Sequence, residues 1–353
     1  MNRKITQYLM MALLLTMGIM TSCTKVGPAG PAGKDGTNGT NGTDGTDGTA
    51  GCIQCHDNSQ VILAKSLQWE ASVHATGGNF ERNTTDCAPC HTSQGFLETV
   101  ANTPAGGTRP DTIAEAAIQN PAPQNCFTCH EIHSTYTPTD WTITTADPVK
   151  LFVNGQTVDF GKGNLCANCH QPRVPSPLPV VGGDSVTITS PYWGVHHGPQ
   201  AGILGGTGGY TFGKTYTNSA HTTVVTDGCV TCHMATAYGT QAGGHQMGMT
   251  YLYHGHERIN TTGCITCHPS GIDAKIAATQ SGVMDLMGQL KTALINKGVL
   301  NASDGIVTGK MSADVAGALM NYKMVEEDRS EGVHNADYVR ELLQNSIDAI
   351  TTK

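Results

Sequence analysis

Phenylalanine, tyrosine and tryptophan together make up only 5% of the 353 residues. So few large side chains cannot fill two ordinary domain interiors, which is what this length would otherwise suggest. Charge is also scarce: 20 lysines and arginines face 28 aspartates and glutamates, for a net charge of −8 with the histidines neutral. There is no basic stripe, which argues against a nucleic-acid binder. The apolar run from about Tyr8 to Met20 is short for a membrane-spanning helix. In contrast, glycine (43), cysteine (13) and histidine (15) are abundant.

The cysteines are strictly arranged. Twelve of them form six Cys-x-x-Cys pairs: Cys52 and Cys55, Cys87 and Cys90, Cys126 and Cys129, Cys166 and Cys169, Cys229 and Cys232, Cys264 and Cys267. A histidine follows each pair directly: His56, His91, His130, His170, His233 and His268. About 0.02 such motifs are expected by chance at this composition, so the repetition is a signal. Zinc ribbons have no need of a histidine after every pair, and disulfides would not impose one spacing six times. Cys-x-x-Cys-His is the attachment sequence of c-type haem. On one helical turn, positions i, i+3 and i+4 share a face, so both thiols and the imidazole meet one macrocycle. Six covalently bound haem c groups would also supply the apolar bulk that the side chains lack.

Four segments follow along the chain. Residues 1–22 have the layout of a secretory signal, with Arg3 and Lys4 before the apolar run. The segment ends in Met20-Thr21-Ser22-Cys23, which resembles a bacterial lipobox and implies cleavage before Cys23 and lipidation of its sulfur. Thr24 after that cysteine favours the outer membrane. In residues 23–51, glycine occupies every third position from Gly27 to Gly51, which is collagen's period. A triple helix and a solvated tether are both compatible with it, and either makes a stalk. Residues 52–270 carry the six motifs at uneven intervals, rich in Gly, Pro, Thr and Asn, which predicts loops and single helical turns. An insertion at about 171–216 is expected to hold a small hairpin. Residues 271–353 contain no cysteine. Ile276, Val283, Leu286, Met287, Leu290, Leu294 and Ile295 fall at helical spacing, and 312–327 and 336–351 read as further helices. The expected fold class is mainly α with extensive irregular loops, little β, and a C-terminal helical hairpin or bundle.

Nine histidines lie outside the motifs: His74, His133, His196, His197, His221, His245, His254, His256 and His334. They are enough to give each iron a second axial imidazole. His133 stands three residues after His130 and so cannot reach the far face of the same iron; it should serve a neighbour.

With these motifs the chain resembles the multihaem c-type cytochromes. The segments WEASVHATGG, CFTCHEIHS, YWGVHHGPQ, NSAHTTVVTDGCVTCHM, GGHQM and EGVHNADYVRELLQNSI are similar to contexts that carry distal ligands there. The resemblance implies His74, His133, one of His196 or His197, His221, His245 and His334 as those ligands, with His254 and His256 in reserve. Bis-histidine haem has no vacant site, so the expected function is electron transfer through six closely packed haems at the outer membrane or cell surface. An electron carrier is the expectation, and if the chain is an enzyme it is an oxidoreductase. Its partners would be redox proteins or extracellular electron acceptors, a lipid membrane through Cys23, and further copies through the stalk or the C-terminal helices. Two alternatives stand beside it. The GVHNADYVRELL tail is similar to that of the ammonia-forming nitrite reductases, which points to a reductase of nitrogen or sulfur oxyanions with one open haem. Those enzymes carry a Cys-x-x-Cys-Lys motif, however, and none occurs here. The other alternative is a subunit of a cytochrome filament.

Overall fold

The structure, a computed structural model, describes residues 60–352. The signal segment, Cys23, the glycine-periodic run and the first motif, Cys52 to His56, lie outside the described residues. Within them the chain is mainly helical, with six short strands. The N-terminal part contains two helices of more than one turn, α1 (Gln60–Glu70) and α2 (Ser93–Ala101). The C-terminal part contains three: α3 (Ile272–Asn296), α4 (Ala313–Asp328) and α5 (Ala336–Thr351). The strands are β1 (Val149–Lys150), β2 (Thr157–Val158), β3 (Val186–Ile188), β4 (Thr250–Tyr253), β5 (His256–Ile259) and β6 (Gly309–Met311), in three antiparallel pairs.

Local chemistry explains where the tail helices begin and end. Ser312 caps α4 by accepting from the Val315 N–H, and Asn335 caps α5 by accepting from the Tyr338 N–H. α3 stops at Gly298, whose φ of +72° is a left-handed conformation open to glycine at little cost. In α5, Tyr338, Val339, Leu342, Leu343, Ser346 and Ile350 are buried at three- and four-residue spacing, so one stripe faces inward. α3 and α4 both pack on α5, and α4 is buried on most of its circumference.

The core lies where these helices meet the segment from Val149 to Leu204. Leu151, Phe160, Ile188, Trp193 and Ile203 pack in one cluster with Leu290, Leu294, Leu319, Met324, Leu342 and Leu343. Residues 60–148 contribute a separate cluster of only Ala88, Ile113 and Ile118. Residues 205–282 add no buried residue to the main cluster either, so apolar packing is concentrated in 149–204 and the helical tail. The insertion at 171–216 does not form the expected hairpin. Its strand β3 pairs instead with β6 of the tail, with Val186 opposite Met311 and Ile188 opposite Gly309. The turns here are occupied by Pro-rich and Gly-rich stretches that offer no second local strand, so the partner comes from more than a hundred residues away. Among the described residues no helix is long and apolar enough to cross a membrane.

Candidate functional site

Each described motif is a single helical turn. The histidine N–H bonds back to the carbonyl of the first cysteine in four of them: His91 to Cys87, His130 to Cys126, His170 to Cys166 and His268 to Cys264, at 2.8–3.1 Å. Cys229–His233 is itself a helix. This closure brings both thiols and the imidazole to one side. All ten described motif thiols are free of disulfides.

The five motif histidines each face a second histidine from elsewhere in the chain. Ring centres are 6.1 Å apart for His170 and His74, 6.2 Å for His91 and His196, and 6.3 Å for His130 and His245. They are 6.1 Å apart for His233 and His334 and 6.2 Å for His268 and His221. Stacked rings come much closer, as Tyr238 and Tyr251 do at 3.9 Å. A metal–imidazole bond is about 2.0–2.1 Å and the ring centre lies about 1.1 Å beyond the nitrogen, so two rings on opposite sides of one ion sit about 6.2 Å apart. All five separations match that span.

Hydrogen bonds orient these rings. The Nδ1 atoms of His130, His221 and His233 lie 2.8–2.9 Å from the carbonyls of Trp141, Val333 and Met247. His170 Nδ1 is 3.2 Å from Gln200 Oε1, and His334 Nδ1 is 2.7 Å from Asp328 Oδ1. An acceptor at Nδ1 fixes the proton there and leaves Nε2 as the free donor to a metal. Burial, the largest influence on each, pulls His74, His196 and His245 down to about 4, so they are neutral near pH 7 as a ligand must be. Burial also opposes the charge on His334, but the Asp328 carboxylate overrides it and the net shift is upward.

No group of three or more His, Cys, Asp or Glu converges into a metal cage among the described residues. Each pair offers two nitrogens and two nearby thiols. That is the donor set for a haem, whose porphyrin provides the four equatorial nitrogens. The chain's residues thus fit the group. His245 also borders an open, mostly apolar cavity of about 590 Å³ between Val61, Ala64 and Lys65 of α1 and Met234, Ala235 and Ala237.

Several placements could not be foreseen. Of the adjacent pair, His196 faces His91, whereas the His197 side chain is 73% exposed and pairs with Glu327 at 2.8 Å. His254 and His256 are exposed at the β4–β5 turn, and neither faces a described motif histidine. His133 is not the partner of His130; its ring stacks on Tyr136 at 5.5 Å. His56, Cys52 and Cys55 lie outside the described residues, as does Cys23. Asp328, Gln200 and Gln68, whose Oε1 accepts from the His245 backbone N–H, carry no sequence signal.

The attachment sulfurs also adjoin. Cys90 of the second motif lies within hydrogen-bonding reach of Cys169 of the fourth, and Cys166 of the fourth within reach of Cys229 of the fifth. Buried Arg109 ties the second and fourth motifs, donating to the carbonyls of Pro89 and Asn168 at 3.0 and 2.6 Å.

No protein-family model matches the chain, and no curated protein matches it. Among solved structures its fold is similar to that of a cytochrome. That structure is outer cell wall cytochrome OcwA, with a TM-score of 0.51 and 22% identity over 81% of this chain and 50% of the other. The chain thus spans about half the length of the protein it matches, and the likeness is one of fold.

Proposed function

We propose that the chain is an electron-transfer protein holding six haem c groups, each with two axial histidines. The observation that carries this reading is the set of five histidine pairs at 6.1–6.3 Å. In the described part the pairs are His91 with His196, His130 with His245, His170 with His74, His233 with His334 and His268 with His221. His56 of the first motif then takes His133, the remaining histidine of the distal set. Bound haem supplies reversible one-electron chemistry. The protein's part is to hold both axial positions, which denies a substrate access to the metal, and to bring attachment points together so that transfer between them is short. Each described motif histidine has a partner, and this disfavours a reductase with an open iron in that region.

Export, lipidation of Cys23 and a glycine-periodic stalk would place the carrier at the outer membrane or cell surface. The name of the structurally similar protein, an outer cell wall cytochrome, supports a surface role. Its partners would be redox proteins or extracellular electron acceptors.

Quantifying haem on full-length protein by its pyridine adduct, together with ferric EPR, tests the reading. The expected result is six haems per chain, all low-spin. In collinear ligation the angle between ring planes is preserved at the iron. It is 69°, 74° and 76° for the His74, His196 and His221 pairs, and 32° and 41° for the His245 and His334 pairs. Three near-perpendicular sites should therefore give large g-max signals and two should give rhombic ones. A full equivalent of high-spin ferric haem would overturn the all-histidine relay and favour a reductase.

A further inference from the structure

The structure assigns a built-in direction to this relay, resting on the haem reading above. We propose that Asp328 makes the fifth site the most reducing of the five described, and that arginines around the second site make it the most oxidising. The run of attachment points passes from the fifth motif through the fourth to the second, and Cys232 of the fifth also lies near Cys264 and Cys267 of the sixth.

Asp328 ends helix α4 with its side chain fully buried. Its Oδ1 accepts the His334 Nδ1–H at 2.7 Å, and its Oδ2 accepts from the Ser330 hydroxyl. The left-handed residues Arg329, Glu331 and Gly332 turn the chain back so that His334 meets this carboxylate. It is the only carboxylate among the Nδ1 partners of the paired histidines; the others are the carbonyls of Trp141, Val333 and Met247 and the amide of Gln200. An imidazole that donates to a buried carboxylate takes on anionic character and favours the more highly charged ferric state. The opposite ligand, His233, also donates, to Met247. Both axial groups of the fifth site are therefore electron-rich.

The second site is the reverse. Among the described residues, neither His91 nor His196 has a hydrogen-bonded acceptor on its ring. Three guanidinium groups surround the site. Arg109 is 4% exposed, lies 3.4 Å from Cys90 Sγ, and has no carboxylate within ion-pair distance among the described residues. Its Nε is buried without a partner. Arg82 and Arg173 are close enough to act electrostatically on both His91 and His196. The opposing charges are at the surface: Asp111, 60% exposed, at 4.0 Å from Arg173, and exposed Asp86. Fixed positive charge in a poorly screened interior favours the ferrous state, which carries one positive charge fewer. An electron that enters at the fifth site then passes downhill through the fourth to the second.

Potentiometric titration of the full-length haem protein, followed by EPR or magnetic circular dichroism, tests this with two variants. Asp328→Asn keeps an oxygen for the His334 N–H but removes the charge. It should raise the lowest midpoint enough to change the oxidised-to-reduced ratio at least tenfold, or about 59 mV for one electron, with the low-spin haem count unchanged. Arg109→Gln should lower the highest midpoint. Because Arg109 is buried, Arg82→Gln tests the same end from the surface and should shift that midpoint in the same direction by less. An unmoved lowest midpoint in Asp328→Asn, or arginine variants that leave the highest midpoint in place because a propionate already neutralises them, would overturn the inference. Wild-type protein without covalent haem would instead defeat the relay reading itself, and the two failures are distinguishable by the haem count.

Discussion

Asn335 is the residue at which the helical tail is fastened to the histidine-bearing loops, and Asn335→Ala is a demanding test of that arrangement. The side chain is fully buried. Its Oδ1 accepts from the N–H of Ser219 at 2.9 Å and from that of Tyr338 at 3.4 Å, the latter capping α5. Its Nδ2 donates to Asn218 Oδ1 at 2.9 Å and to the Ile203 carbonyl at 3.1 Å. Truncation removes a cap worth about 1 kcal/mol and loses the bonds to Ser219, Asn218 and Ile203 at about 1 kcal/mol each; the Ile203 carbonyl keeps the Gly206 N–H. The total of about 4 kcal/mol is a large share of the roughly 5–15 kcal/mol that stabilises a typical domain. His334 is its chain neighbour, and His221 follows Ser219 by two residues. The expected outcome is a protein with its haems still covalently attached, a lower denaturation midpoint by far-UV circular dichroism, and loss of low-spin signal at the two sites served by His221 and His334 before the others. Asn335→Asp keeps both acceptor bonds but turns a charged oxygen onto the Ile203 and Leu204 carbonyls and Asn218 Oδ1, so it should destabilise at least as much as alanine. A destabilisation below about 1 kcal/mol with an unchanged low-spin spectrum would refute the reasoning, because that is what surface substitutions cost.

Three further outcomes follow from the geometry. His196→Ala should convert one ferric haem to high spin, whereas His197→Ala should leave the spectrum as it is, since only His196 faces His91; equal spectra for the two variants would contradict the pairing. At Gly332 a side chain would meet Val283 Cγ2 at 2.6 Å, with φ at +92°, so Gly332→Val should displace His334 and open one iron, read as one equivalent of high-spin signal. In the metal-free chain, His74, His196 and His245 have folded values near 4, below that of an unfolded histidine at about 6.5. The unfolded chain therefore binds more protons between those values, and stability should be full above about 6.5 and fall as pH drops toward 4. Urea melts of haem-stripped protein across that range check it, and flat stability from pH 7 to 4 would count against it.

The parts of the molecule that were legible in sequence are those with local causes. Cys-x-x-Cys-His fits on one helical turn, and each described motif forms such a turn because its own backbone closes it. The three tail helices follow from their apolar spacing and from Ser312 and Asn335 as caps. The pairing of histidines was not legible, because it depends on how distant segments pack: His245 stands twelve residues from His233 yet faces His130. For the same reason β3 found β6 and the hairpin expected at 171–216 did not form. His254 and His256 stood in reserve as ligands, and a hairpin turn leaves both exposed. Asp328 and Arg109 lie outside every motif, and only burial gives them their influence.

The histidine pairs also have a bearing on how the chain unfolds. Each one, when it closes on an iron, cross-links two points of the backbone, and four of the five described join residues about a hundred positions apart, a span for which loop-closure entropy is worth about 5 kcal/mol per link. The loops overlap, so releasing one pair leaves the chain constrained by the next. In the proposed reading, axial ligation would do for this chain what disulfides do elsewhere, with the thiols taken up in haem attachment. The staples are also reversible, and strong competing imidazole in solution should loosen them one at a time, starting with the most exposed.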